Sequence, residues 1–213
     1  MIRIYYTSFT EQLPLKAFND YLSLLPIDQI VRNNRFVRWQ DKYLHLFGKL
    51  LLIEGIKCFD LGHEELSNVE YNKNNRPFFK HGKIDFNISH SGNYAICAVC
   101  DNSKIGVDIQ EIKPLNFDEF NEVFTPAEWS NIESSPNPLA QFYSLWARKE
   151  SIIKADGRGL SLPLNHIEVI HDVTEYDNEV WHLQNFFIHD AYSACLASSI
   201  GNINMRMFEV DFF

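Results

Sequence analysis

The sequence lacks several features that mark common functional classes. It has no apolar run long enough to span a bilayer, and its first six residues, MIRIYY, read as a strand rather than a secretion signal. The formal net charge is −9, and this acidity argues against general binding to nucleic acid or to an anionic membrane, both of which favour a basic surface. We therefore expect a cytoplasmic protein.

Cysteine is scarce and the familiar nucleotide loops are absent. Four cysteines do not make a disulfide framework for a chain of 213 residues. Cys97 and Cys100 form a CxxC, but it lies in an apolar run with no second CxxC or CxxH, so we expect buried strand thiols in a reducing compartment rather than a zinc site. Neither GxxxxGK[ST] nor GxGxxG occurs.

Apolar and aromatic residues, by contrast, are plentiful. Their shares of 46% and 14% predict a folded core in one domain or two closely joined lobes. The charge is uneven, because the stretch from Val31 to Leu50 holds a single acid, Asp41. Its five basic residues are Arg32, Arg35, Arg38, Lys42 and Lys49. A local basic patch on an acidic chain suits a bound anionic ligand better than a polyanion.

Hydrophobic periodicity predicts an α+β protein in which strand, helices and strands occur in that order twice. The predicted helices are 11–25, 28–58, 117–124, 126–133 and 139–156. The predicted strands include 2–8, 77–80, 84–88, 93–100, 104–110, 166–170, 179–187, 191–198 and 204–211. The order indicates two lobes, residues 1–104 and 105–213.

Strand 104–110 carries two oxygen-bearing side chains on one face. Asp108 and Gln110 are two residues apart, so they point the same way and can share a hard cation. The alternative is an exposed strand face, on which alternating polar residues are ordinary, and for this pair taken alone that alternative is favoured.

Helix 139–156 places Glu150 and Lys154 at positions i and i+4, with Lys149 on the polar side. The ordinary interpretation is a surface ion pair of small energetic value. Gly157 and Gly159 predict a helix end with positive φ, which either acts only as a C-cap or leaves backbone amides open to a ligand.

Between strands 84–88 and 93–100 lies the turn-like sequence Ser89-His90-Ser91-Gly92. Hydroxyls, imidazole and backbone amides in a tight turn are suitable donors to a phosphate group. The basic residues of helix 28–58 have a simpler explanation as a solvated helix face.

Taken together, SHS, GVDIQ, FTPAEW and WARKESIIKADGRGL resemble the surfactin-type 4′-phosphopantetheinyl transferases over roughly residues 30–165. The resemblance implies Mg²⁺- or Mn²⁺-dependent transfer of the phosphopantetheine arm of coenzyme A to a serine of an apo acyl- or peptidyl-carrier protein, releasing adenosine 3′,5′-bisphosphate. It also implies a monomer of two similar α+β lobes, related by a pseudo-twofold, each with a small, mostly antiparallel sheet on helices. The active site would lie in the cleft between the lobes.

The resemblance also implies roles for individual residues. Asp108 and Glu150 would bind the metal with Gln110, and Glu150 would accept the serine proton, directly or through a metal-bound water. Lys154 would contact the phosphates, with Lys149 close by. The remaining coenzyme ligands would be Arg32 and Arg35 near the 3′-phosphate, Ser89 and His90 at the 3′-phosphate and ribose, and Arg76 near the adenine.

Two positions depart from the family pattern. Gln110 stands where the family usually has glutamate, and Leu44 stands where an arginine is often found, so that His45 or Lys42 would substitute for it. Two other interpretations remain open. One is a different Mg²⁺-dependent phosphoryl or nucleotidyl transferase, and the other is a catalytically silent module that binds coenzyme A or a carrier protein, which only Gln110 favours. A carrier would dock on apolar residues between Asn116 and Pro138.

Overall fold

The computed structural model describes residues 1–80, 82–159 and 162–213, and the chain divides into two compact units. Unit 1 comprises residues 1–71, 77–102 and 204–213. Unit 2 comprises residues 72–76 and 103–203. Within the described residues, no helix is both long enough and apolar enough to cross a membrane.

Unit 1 is a four-stranded sheet packed on helices. Its sheet has the order β10-β1-β5-β4, and all pairs are antiparallel except β1 with β10, which is parallel. A short hairpin joins β2 to β3. The elements are β1 (Ile2–Ser8), α1 (Leu15–Leu22), α2 (Ile27–Asn34), α3 (Trp39–Ile56), β2 (Val69–Tyr71), β3 (Pro77–Phe79), β4 (Ile84–Ser91), β5 (Tyr94–Asp101) and β10 (Met205–Glu209).

Helix α3 forms the centre of unit 1, where Leu46, Phe47 and Leu51 are buried. The predicted helix 28–58 is wrong in one respect, because it is interrupted between Asn34 and Trp39. The buried Asn33 donates through Nδ2 to Lys42 O at 2.7 Å, and this bond folds the end of α2 back onto the first turns of α3. A contact of this kind leaves no periodic signal in a sequence.

Unit 2 has the same ingredients with a wholly antiparallel sheet, in the order β6-β9-β8-β7. Its core is filled by α5 against the sheet, with Trp181, Phe142 and Ile152 buried. Its elements are β6 (Ile105–Glu111), α4 (Pro126–Glu133), α5 (Pro138–Asp156), β7 (Val173–Tyr176), β8 (Glu179–Phe186) and β9 (Tyr192–Ser198). The α+β class and the two similar lobes are confirmed.

Three local predictions are corrected. Residues 117–124 form only a short 3₁₀ helix, Phe117–Phe120, and the described residues 166–170 contain no strand, since the strand of that region is β7. Residues 204–213 belong to unit 1, not to a lobe 105–213, because β10 pairs with β1. The predicted helix 126–133 is confirmed as α4, where Thr125 caps the helix in a capping box and Pro126 lies in its first turn.

Gly106 sets the distance between β6 and α5. A Cβ atom at this position would lie 2.0 Å from the backbone O of Ser151 and 2.5 Å from the backbone N of Ala155. The strand backbone therefore rests directly on the helix backbone, and only glycine permits this approach. The side chains that leave β6 and α5 just beyond this contact are consequently brought close together.

Candidate functional site

Strand β6 and helix α5 of unit 2 bring Asp108, Gln110 and Lys154 into direct contact. Lys154 Nζ lies 2.5 Å from Asp108 Oδ1, and Gln110 Nε2 donates to Asp108 Oδ2 at 2.8 Å. Asp108 is only 1% exposed, so the explanation of an ordinary exposed strand face is wrong. The predicted shared face of Asp108 and Gln110 is confirmed by their hydrogen bond.

Glu150 completes this group without a partner of its own. Within the described part of the chain it makes no hydrogen bond or ion pair, because Lys154 turns to Asp108 instead. The predicted Glu150–Lys154 surface ion pair is therefore wrong. Burial raises the pKa of the Glu150 carboxyl, the negative charge of Asp108 raises it further, and Lys154 opposes both.

Lys149 and Glu150 are neighbours in the sequence, yet Lys149 belongs to the core. Its side chain is fully buried, with Nζ 2.8 Å from Glu128 Oε2 and donating to the carbonyls of Leu164 and Ile167 at 2.8 and 2.5 Å. Burial lowers its pKa, and Glu128 opposes that shift. The expectation that Lys149 lies on the polar face is wrong, and its predicted contact with phosphates gains no support from this geometry.

The helix ends as its glycines predict. Gly157 adopts the left-handed conformation with φ 80°, and its N–H donates to Ile153 O at 3.0 Å, so this amide is used within the cap. Gly159 also has positive φ, at 68°. Leu160 and Ser161, which continue the motif, lie outside the described residues.

The SHSG sequence of unit 1 is not a turn. Ser89, His90 and Ser91 continue strand β4, and the hairpin reverses at Gly92 and Asn93. As neighbours on a strand, Ser89 and His90 point to opposite faces. Ser89 is buried, whereas His90 is exposed.

A basic cluster in unit 1 surrounds His45 on helix α3. Burial lowers the pKa of His45 to about 4, and the positive charges of Lys49, Arg32 and His90 lower it further, against the single opposing carboxylate of Asp28. Asn33 Nδ2 lies 3.1 Å from His45 Nδ1, while His45 Nε2 is buried without a hydrogen-bond partner among the described residues.

The sequence indicated His45 only as one of two substitutes for the family arginine, and Lys49 only as part of a local basic patch. Their spacing of four residues on one helix face is the signal that brings them together. Lys49 is buried enough to lower its pKa, an effect that Arg32 reinforces. Cationic groups placed close together favour a bound anion.

Arg32, on helix α2, and Arg35, just after the end of that helix, lie at the wall of an open pocket of about 570 Å³ in unit 1. Asp28 and Tyr71 also line this pocket. Both arginines are exposed, so they are available to a ligand from solvent.

Arg76, predicted to lie near an adenine, is directed into unit 2. Its Nε donates to Lys154 O at 2.9 Å and its Nη2 to Ile105 O at 3.2 Å. The guanidinium therefore binds backbone carbonyls of strand β6, which carries Asp108, and of helix α5, which carries Glu150 and Lys154.

No group of three or more histidine, cysteine, aspartate or glutamate side chains suitable for a metal occurs in residues 1–80, 82–159 and 162–213. The substitution of glutamine at position 110 limits the β6–α5 group to two carboxylates, Asp108 and Glu150. Amide oxygens and water also bind Mg²⁺, so two carboxylates are compatible with one divalent cation.

Comparison with known proteins places both units in one family. Residues 14–102 match the family described as 4′-phosphopantetheinyl transferase, N-terminal, and residues 104–197 match the 4′-phosphopantetheinyl transferase superfamily. Among solved structures, the crystal structure of Thermotoga maritima holo-[acyl-carrier-protein] synthase overlaps 45% of this chain and 61% of that one, at 16% identity and a TM-score of 0.35, a likeness too low to support an argument.

Three curated relatives carry the same name. The chain is 31% identical to 4′-phosphopantetheinyl transferase Sfp of Bacillus subtilis (strain 168) over 79% of this chain and 76% of that protein. It is 38% identical to a 4′-phosphopantetheinyl transferase of Bacillus subtilis over 63% of this chain and 61% of that protein, and 28% identical to gsp of Aneurinibacillus migulanus over 82% and 74%. The chain belongs to the 4′-phosphopantetheinyl transferase family.

Proposed function

We propose that this protein transfers the 4′-phosphopantetheine arm of coenzyme A to a serine hydroxyl of an apo acyl- or peptidyl-carrier protein and releases adenosine 3′,5′-bisphosphate. The observation that carries the proposal is the group formed by Asp108, Glu150 and Lys154. It combines a buried carboxylate, a second carboxylate with a raised pKa and a half-buried ammonium on two adjoining elements. Family membership supplies the reaction class that such a group serves.

The residues of this group fit a divalent cation, Mg²⁺ or Mn²⁺. Glu150 is partly buried, has no hydrogen-bond partner in the described chain, and is disfavoured as an anion by both burial and Asp108. Asp108 and Glu150 would hold the cation, and Gln110 would contribute its amide oxygen after releasing Asp108, or act through water. When bound there, the cation supplies positive charge to the pyrophosphate oxygens.

Lys154 and Glu150 then have distinct tasks. The ammonium of Lys154 neutralises charge that develops on the pyrophosphate, since its side chain is 26% exposed and can reach a ligand beyond Asp108. The carboxylate of Glu150, which makes no hydrogen bond in the described chain, would accept the serine proton. The serine oxygen forms a new bond to the pantetheine-side phosphorus. The bond from that phosphorus to the bridging oxygen breaks, and the bridging oxygen leaves with the adenosine bisphosphate.

The basic cluster of unit 1 would bind the nucleotide end of coenzyme A. We assign Arg32, Arg35 and His90 to the 3′-phosphate, and Ser89 to a supporting position because it is buried. His45 adds a buried nitrogen without a partner in the described chain, which a phosphate oxygen would satisfy once that nitrogen carries a proton. In this chain His45, rather than Lys42, substitutes for the family arginine that Leu44 replaces.

The remaining assignments follow from the same proposal. The partner is an apo carrier protein that docks on the aromatic residues after β6, where Phe117, Phe120 and Trp129 are only partly buried. We propose a monomer that works in the cytoplasm, a setting that suits its free cysteines.

Incubation with coenzyme A, Mg²⁺ and an apo carrier protein tests this function, with the intact mass of the carrier as the readout. We expect a mass gain of one phosphopantetheine group that requires all three components. A carrier that keeps its mass while coenzyme A binds would identify a silent binding module. Transfer of a phosphoryl or nucleotidyl group instead would show a different transferase.

A further inference from the structure

Arg76 donates to backbone carbonyls of both β6 and α5, close to Asp108 and Lys154. Lys154 O belongs to the residue whose Nζ reaches Asp108, and Ile105 O lies three residues before Asp108 on the same strand. The contacts therefore close a ring. It runs from the guanidinium along β6 to Asp108, across to Lys154, and back to the guanidinium.

The turn that carries Arg76 is itself fastened to the end of α5. Asn72 and Asn74 both donate through Nδ2 to Gly157 O, at 3.2 and 3.1 Å. Asn72 Oδ1 in turn accepts the backbone N–H of Arg76 at 2.9 Å, which orders the turn. Carbonyls at the C-terminal end of a helix lack donors within the helix. The side chains of Asn72, Asn74 and Arg76 supply the missing donors from outside the helix.

Gly157 shows how closely this turn is packed. A Cβ atom on Gly157 would lie 2.4 Å from Arg76 Cδ, in addition to the strain of its positive φ. The cationic guanidinium also stands at the C-terminal end of α5, where a positive charge is favoured by the helix dipole. Arg76 is thus committed by its geometry to the helix end.

We propose that Arg76 is a positioning residue, which holds strand β6 against helix α5 and thereby sets the distance from Asp108 to Lys154 and Glu150. The proposal rests on the function proposed above and replaces the expectation that Arg76 contacts the adenine. It assigns the sequence Asn72 to Arg76 to unit 2 in function as well as in packing.

Substitution of Arg76 by alanine separates the two roles. A positioning residue predicts that kcat for transfer falls about 10- to 100-fold, since small displacements of reacting groups are costly in rate. The dissociation constant for adenosine 3′,5′-bisphosphate and the KM for coenzyme A should change by no more than about twofold. Arg158→Ala is the charge-matched control, because Arg158 lies at the same helix end but donates to Asp156 and Asp177. It should leave kcat within about twofold of the wild-type value.

A nucleotide dissociation constant raised tenfold or more, with kcat unchanged, would identify a ligand and overturn the proposal. Hydrogen exchange of residues 105–111 and 150–157 supplies a readout that does not need transfer activity. It should quicken in Arg76→Ala and stay unchanged in Arg158→Ala. Unchanged exchange in Arg76→Ala refutes the positioning role, even if the wild-type protein transfers nothing. If exchange quickens in Arg76→Ala but the wild-type protein is inactive, only the proposed function is refuted. If Arg76→Ala does not fold, Arg76→Lys replaces it, with one carbonyl bond kept and an intermediate loss of kcat expected. A full kcat in Arg76→Lys with weakened nucleotide binding also overturns the proposal.

Discussion

Helix α5 has two charged faces that do different work. On one face Lys149 is fully buried and satisfied by Glu128 and two carbonyls, and Arg148 is held by Asn185, Asp172 and the carbonyl of Val169. On the other face Glu150 has no partner in the described chain. Neighbouring charges in one motif thus differ in whether the protein already satisfies them. A charge that is left unsatisfied near a second carboxylate indicates a ligand, whereas a satisfied one indicates structure.

The largest expected effect comes from Glu150→Gln, which tests the face of α5 whose charge has no partner in the described chain. Transfer should fall about 10²- to 10⁴-fold because the proton acceptor is lost. The free energy of unfolding should stay constant or rise, since a carboxylate disfavoured by burial is replaced by a neutral amide. Stopped-time mass analysis of the carrier protein and urea unfolding measure the two quantities. Near-normal turnover would exclude Glu150 as the base.

Lys149→Met tests the satisfied face. It leaves Glu128 buried without its counter-charge, so we expect the free energy of unfolding to fall by about 3–5 kcal/mol. The double variant Lys149→Met/Glu128→Gln removes the stranded charge and should lose less. Urea unfolding measures both variants. A single variant as stable as the wild type, yet unable to bind coenzyme A, would place Lys149 at the ligand after all.

Gln110→Glu tests whether position 110 serves cation binding or only the hydrogen bond to Asp108. The added carboxylate would replace the hydrogen bond to Asp108 with like-charge repulsion, so the metal-free protein should melt at a lower temperature. Affinity for Mn²⁺ should rise about tenfold, because carboxylate charge strengthens binding of hard cations. Transfer should be retained. A collapse of transfer would show that the amide of Gln110 has a specific task.

The smallest effect concerns unit 1 and its pH dependence. Because the pKa of His45 is lowered to about 4, the folded protein resists a proton that the unfolded chain accepts near its ordinary pKa of about 6.5. The contribution of neutral His45 to the free energy of unfolding is therefore present above about pH 6.5 and is lost as the pH falls towards 4. The melting temperature of His45→Gln should fall less between pH 7 and about pH 4.5 than that of the wild type. Equal decreases in melting temperature for the two proteins would contradict the lowered pKa of His45. An anion bound beside His45 should make the decrease in the wild type smaller.

Much of the fold can be predicted from local patterns. The alternation of apolar and polar residues over 104–110 predicted β6. The predicted helix 139–156 agrees with α5 to within one residue at its start, and it ends before Gly157 as predicted. The break before Trp39 could not be predicted, because it depends on the tertiary bond from Asn33 to Lys42. The parallel pairing of β10 with β1 joins the two chain ends and leaves no local signal.

The candidate site was predictable in its residue types but not in its partners. Period-two alternation placed Asp108 and Gln110 on one face, and the structure agrees. Helical spacing paired Lys154 with Glu150, but Lys154 instead contacts Asp108, which is 46 residues away. The partners of Lys149 and Arg76 are likewise distant along the chain, 21 residues for Glu128 and 78 for Lys154. Sequence spacing cannot show such pairs.

The central claim is that Asp108 and Glu150 form a divalent-cation site while Lys149 and Glu128 form a structural pair. Titration with Mn²⁺ in the presence of coenzyme A tests it most directly, in the wild type, Asp108→Asn and Lys149→Met/Glu128→Gln. We predict that Asp108→Asn abolishes cation binding and that the folded double variant keeps it. Undiminished binding by Asp108→Asn, or an equal loss in the folded double variant, would contradict the account.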